Sequence, residues 1–299
     1  MKDFVLYCKS YSRDFLRLRR LLESINQFNA DHLDFYISTP KQDKGLLEEV
    51  LGQSGYIWVA DEDIVAANPN ANVAKYQAMS GGLSQQIIKS EFWRLGFAEN
   101  YLCLDSDGLF IRKFFKSDFM SGDGTPYTVL HQNKELFQLA MNRGQDKVER
   151  DLRGEAERVK VLFNRQGPNF YCAPAPFIWS AKVWQSLDKG YLQPRGITLW
   201  DLIGADYPET LIYGEAILKF HTIPLIAIEP LFRTYHYDWQ YYLLRRLGET
   251  EQKLKQNYLG VIYQSAWESE FNLGQSQKSF PSRVMKRLKR FMRYLQSFI

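Results

Sequence analysis

The chain has 299 residues, 45% hydrophobic and 24% charged, which is the balance of a folded domain able to bury a substantial core. No run of 18 or more apolar residues occurs and the opening Met1-Lys2-Asp3-Phe4-Val5-Leu6-Tyr7 passes straight into a strand pattern, so the chain is expected neither to span a membrane nor to be exported. Cys8, Cys103 and Cys172 are odd in number and lack metal-type spacing, which fits reduced thiols in a cytoplasmic protein, and the net charge of +4 gathers near the C-terminus, leaving the body near neutral.

Phe4 to Cys8 predicts a strand, followed by a loop and a helix carrying Phe15, Leu18, Leu21, Leu22 and Ile25 on one face. Asp34 to Ser38 repeats the strand signal, Leu46 to Leu51 predicts a helix and Tyr56 to Val59 a third strand. This alternation predicts an α/β fold with a mostly parallel sheet, because parallel neighbours need crossover connections. Residues 61 to 72 carry turn chemistry and read as a loop, and Leu83 to Phe97 reads as a helix. Tyr101 to Leu104 is an apolar strand. Further on, Pro126 to Leu130 predicts a strand, Asp146 to Leu162 a charged, solvated helix, and Lys182 to Leu187 a short helix. A mixed stretch ending in Gly214-Glu215 precedes two short strands near Ile217-Leu218 and Leu225 to Ile228, and a helix follows Asp238.

Asp105-Ser106-Asp107 begins where the Tyr101 to Leu104 strand ends, and ligands of open α/β sheets bind outside the carboxyl ends of the strands. Two carboxylates at that position suit Mg2+ or Mn2+, which take one or two protein carboxylates and complete their shell with water and phosphate oxygens. The other reading of a bare Asp-x-Asp is an Asp-rich turn.

Leu83-Ser84-Gln85-Gln86-Ile87-Ile88-Lys89 followed by Tyr101 to Asp107 resembles the helix and metal-binding strand of GT-A glycosyltransferases, closest to a bacterial family associated with polysaccharide synthesis. The similarity extends to Val5 to Asp14 and to Glu209-Thr210-Leu211-Ile212-Tyr213-Gly214. It implies a GT-A domain over 1–245, a helical extension over 246–280, and a nucleotide-sugar donor bridged by a divalent metal on Asp105 and Asp107. It also implies that Lys9, Ser10, Tyr11 and Arg13 lie near the base and phosphates, with Gln86 and Lys89 facing the sugar nucleotide. Lys89 alone also reads as a solvated helix residue.

An inverting transferase needs a group to take the acceptor proton. Among Asp201, Asp206, Glu209 and Glu215, the resemblance selects Glu209, whose other reading is a helix-start acid. His236 is the expected metal-returning histidine, against the reading of a packed aromatic-cluster residue, and Trp179 is a candidate for stacking on a sugar ring.

Residues 281–299 carry Arg283, Lys286, Arg287, Lys289, Arg290 and Arg293 off an apolar arc of Val284, Leu288, Phe291, Leu295 and Phe298. Such a helix suits an anionic membrane surface at the inner face of the cell membrane, where a saccharide or lipid-linked acceptor would meet the enzyme. Nucleic acid is not expected as a partner, since the apolar arc has no role there. Two rival functions keep the same residues: a nucleotidyl- or phosphotransferase, which would want a Gly-rich loop where Lys9-Ser10-Tyr11-Ser12 stands, and a non-catalytic membrane-associated scaffold.

Overall fold

The computed structural model describes residues 1–171, 176–268 and 271–273, together with 285, 288, 291 and 292. β1 (Lys2–Lys9) is buried continuously from Phe4 to Lys9, the pattern of a strand covered on both faces. α1 (Phe15–Phe28) buries Phe15, Leu18, Leu21, Leu22 and Ile25 at the predicted spacing. β2 (Phe35–Thr39), α2 (Lys44–Leu51) and β3 (Ile57–Ala60) continue the alternation.

The expected loop over 61 to 72 is instead partly helical, as α3 (Asp61–Ala66). Asp61, Glu62 and Asp63 occupy its first turn, where they oppose the positive helix end, while Ile64 and Val65 face the core. α4 (Val73–Ala78) follows, and α5 (Gly81–Glu91) is shorter than the predicted Leu83 to Phe97. Residues Phe92–Leu95 tighten into a 3-10 turn and Gly96 ends it at φ +67, a left-handed conformation that glycine adopts without strain.

β4 (Ala98–Leu104) leads through the acidic triplet into β5 (Gly108–Phe110). The middle of the chain supplies β6 (Thr128–Val129), α6 (Lys134–Asn142), α7 (Asp146–Leu162, as predicted), β7 (Phe177–Ser180) and α8 (Ala181–Leu187). Then come α9 (Leu199–Gly204) and α10 (Glu209–Phe220). The strand expected at Ile217-Leu218 lies inside α10, which is buried from Leu211 through Ile217 and therefore shows no amphipathic period to distinguish it from a strand. β8 (Ala227–Ile228), β9 (Phe232–Tyr235), α11 (Asp238–Arg246), α12 (Glu251–Asn257) and β10 (Gly260–Tyr263) complete the described order.

The main sheet runs β3-β2-β1-β4-β7, with β3, β2, β1 and β4 parallel and β7 antiparallel at the edge. A smaller sheet runs β5-β10-β9, so residues between 246 and 280 supply its central strand. Gly260 is required there: a Cβ would stand 2.5 Å from the Leu109 carbonyl and 2.3 Å from the Phe232 ring. The acidic triplet therefore sits where the main sheet hands the chain to the small one. Trp179, expected as a stacking platform, is core: β7 pairs with β4, and the indole packs against Tyr101, Phe177, Trp184 and Tyr213.

Cys8 and Cys103 are buried free thiols, and Cys172 lies outside the described residues. Among the described residues no helix is long and apolar enough to cross a membrane. The six cations of the predicted 281–299 helix also lie outside them, whereas Met285, Leu288, Phe291 and Met292 are helical and exposed.

Candidate active site

The parallel pairing of β1 and β4 sets Cys8 opposite Leu104, so the residues that follow each strand emerge side by side at one sheet edge. Ser106 Oγ donates to Ser10 Oγ at 2.9 Å and approaches Cys8 Sγ at 3.7 Å, tying the triplet to the end of β1. These loops line a cavity of about 640 Å³, within the range of small-ligand sites. Lys9, Ser10, Tyr11, Lys89, Asp105, Asp107 and His236 all reach its wall, whereas Arg13, Gln86, Trp179 and Glu209 do not.

Lys9 is held more tightly than expected of a phosphate ligand. Its Nζ is 2.7 Å from Asp61 Oδ2, with 7% and 2% of the two side chains exposed, and it donates to the Ser10 carbonyl at 2.6 Å. Burial pushes the Asp61 carboxyl up and Lys9 pulls it back. Asp61 was missed in sequence although it follows β3 as Asp105 follows β4, which is the signal that marks it. Arg13 is absent from the cavity lining, where Asp14 stands instead; the Arg13 carbonyl accepts from Leu273 N–H at 2.9 Å. Gln86 is likewise off the wall, accepting from the Glu209 N–H at 3.4 Å, while Gln85 lines it.

Lys89 is buried and ion-paired with Asp105, not solvated. Burial alone would lower its pKa, but the charges of Asp105 and Glu209 hold it above the ordinary lysine value. Glu209 begins α10, is 6% exposed and lines neither this cavity nor the next, because the buried face of that helix fixes its start in the interior. Burial raises its pKa and Lys89 opposes the rise.

Asp107 Oδ2 accepts from the Ser265 N–H at 2.7 Å, whereas its Oδ1 is buried with no hydrogen-bond partner among the described residues. Burial and then the neighbouring Asp105 charge push the Asp107 carboxyl up to about 7. An orphaned carboxylate oxygen beside a second carboxylate, both at a ligand-sized cavity, fits a hard divalent cation such as Mg2+ or Mn2+. Among the described residues no three His, Cys, Asp or Glu side chains form a metal-holding group, so the two aspartates would leave most positions to ligand and water. His236 shares the cavity; its Nδ1 lies 3.3 Å from Gln264 Nε2, and burial followed by the nearby His131 and Arg233 lowers it to about 4. It is therefore neutral at pH 7, the form a metal or a hydroxyl can use.

The fold and site define a class: an α/β domain whose parallel sheet presents a carboxylate pair, a buried lysine and a histidine to one cavity at its carboxyl edge. Residues 4–260 match the family of unknown function DUF6492, and the chain belongs to that family. A search of the curated proteins finds no match. Among solved structures the chain is similar to mouse xyloside xylosyltransferase 1 in its apo form, at 10% identity and TM-score 0.48, covering 88% of this chain and 98% of that one. It is also similar to the galactosyltransferase LgtC in complex with donor and acceptor sugar analogues, at 14% identity and TM-score 0.46 over 95% of each chain. A third similarity is to the apo WbbM bifunctional glycosyltransferase, at 9% identity and TM-score 0.48, covering 95% of this chain and 51% of that one.

Proposed function

We propose that this protein is a metal-dependent glycosyltransferase of GT-A type, moving a sugar from a nucleotide-sugar donor to a saccharide or lipid-linked acceptor of a surface polysaccharide. The observation that carries the reading is Asp107 Oδ1, buried and without a partner among the described residues, beside Asp105 on the wall of the cavity. A divalent cation on Asp105 and Asp107 would neutralise charge growing on the leaving nucleoside diphosphate. Lys89 adds a fixed cation at the same point, and its pairing with Asp105 keeps it oriented. Tyr11, Pro40, Asp61 and Tyr76 also line the cavity and would receive the base and ribose, and Ser10, which accepts from Ser106 of the acidic triplet, would lie toward the phosphates. Gly81 and Gly82, which open α5, bring a positive helix end to the same wall.

The enzyme works at the inner face of the cell membrane, held there by residues 281–299. The support for this is the six cations and the exposed apolar side chains of Met285, Leu288, Phe291 and Met292.

Thermal stabilisation across a panel of nucleoside diphosphates and nucleotide-sugars, with and without Mn2+, tests the reading. A ligand at a hundred times its Kd adds about 2.7 kcal/mol. A shift for one nucleotide that requires Mn2+ and disappears in Asp107→Ala is expected; no shift with any nucleotide would return the protein to the scaffold reading.

A further inference from the structure

A second cavity of about 440 Å³ adjoins the first, and Thr234 and His236 line both. Its lining includes the apolar Leu136, Pro230 and Phe232, the Tyr258 ring and the amides of Asn133, Gln240 and Asn257, of which the Gln240 Oε1 already accepts from the His236 N–H at 2.9 Å and the Asn257 Nδ2 donates to the Lys253 carbonyl at 3.4 Å. Thr234 is 5% exposed and its Oγ1 has no hydrogen-bond partner among the described residues, so a buried hydroxyl at the shared wall awaits one. The Thr234 hydroxyl, the Asn133 amide, the Gln240 Nε2 and the Asn257 Oδ1 supply both donors and acceptors beside apolar side chains, which is what the hydroxyls and the apolar face of a pyranose demand.

The charges of this cavity select among sugars. Arg233, its cation, is already committed: its guanidinium donates to Glu135 Oε1 at 3.0 Å and its Nε lies 2.8 Å from Glu249. Glu229 is the remaining lining carboxylate; its side chain is 86% exposed and, among the described residues of the cavity, meets His131 Nδ1 at 3.2 Å. Among the described residues the cavity thus offers an acid no cation free of a carboxylate partner, and offers an amine a carboxylate at its solvent side.

We infer that this second cavity is a saccharide-binding site for a neutral or amino sugar and excludes acidic sugars such as uronates. The inference rests on the glycosyltransferase reading for its role, since Thr234 and His236 at the shared wall would set the bound sugar's hydroxyl beside the donor cavity.

The test is saturation-transfer NMR of the full chain with the methyl glycosides of glucose, galactose, glucosamine and glucuronic acid, with and without Mn2+ and a nucleoside diphosphate. The neutral and amino glycosides receive saturation, the glucuronide does not, and the signals persist with Mn2+ and nucleotide present. Asn257→Trp, at an exposed position on the rim, abolishes them in a protein whose circular dichroism matches wild type. Glu229→Lys reverses the preference toward the glucuronide. Signals displaced by the nucleotide, signals unchanged in Asn257→Trp, or no glycoside bound at all would overturn the inference. Glycoside binding without any nucleotide binding would sink the donor reading and leave the saccharide site standing.

Discussion

Replacing Asp107 by Asn removes one charge from a buried carboxylate pair while keeping an oxygen for the Ser265 N–H. In the folded protein Asp107 is raised to about 7 by burial and then by Asp105; in an unfolded chain an aspartate titrates near 3.9. Between those values the folded state binds more protons than the unfolded one, so this residue's contribution to stability is lost as pH rises through the window. A carboxyl raised in this way costs the folded state roughly 2–3 kcal/mol more at pH 8 than at pH 5. Asp107→Asn in EDTA is therefore expected to gain on wild type by roughly 2–3 kcal/mol between pH 5 and pH 8, since titrations not coupled to Asp107 cancel in the difference and relief of Asp105 acts in the same direction. Urea unfolding of both proteins at pH 5, 6.5 and 8 measures this. A stability difference that stays flat with pH, or that turns against the variant as pH rises, would refute the reasoning.

Lys9→Met leaves the Asp61 charge buried without its partner and is expected to cost about 3–5 kcal/mol, much of it regained when Asp61→Leu is added, as read by denaturant unfolding of the single and double variants. Lys89→Met frees Asp105 from its ion pair; calorimetry should find nucleoside diphosphate affinity at least about tenfold weaker, the loss of one charged hydrogen bond, with Mn2+ alone binding no more weakly than in wild type. Removal of residues 281–299 should abolish flotation with vesicles rich in anionic lipid, where each cation supplies about 1 kcal/mol, and wild type should ignore zwitterionic vesicles; equal flotation with both would contradict the electrostatic anchor.

The parallel strands were legible because burial on both faces writes a continuous apolar run, as in Phe4 to Cys8 and Tyr101 to Leu104, and because α1 keeps a clean amphipathic period. The acidic triplet was legible by position, directly after such a strand. α10 was not, since a helix buried on most sides carries no period, and α3 was masked by acids that read equally as turn residues. Burial also fixed the places of Trp179, in the core, and Glu209, at the buried start of α10, which local pattern leaves open because an aromatic can face a cleft or fill a core and an acid can sit on a surface or begin a buried helix. The partners that define the site lie far off in sequence, Asp61 with Lys9 and Ser265 with Asp107, and come together only through sheet order and the β5-β10 pairing. The second cavity has the same origin, drawing on residues from 131 to 258 with no shared motif.

Electron paramagnetic resonance of Mn2+ tests the metal–diphosphate site most directly. Titrating the protein into Mn2+ with each nucleoside diphosphate in turn should quench the free-ion signal beyond what nucleotide alone achieves, for one base in particular, and Asp105→Ala and Asp107→Ala should each restore it. Quenching that is the same in wild type and both variants would contradict a cation held by these two aspartates.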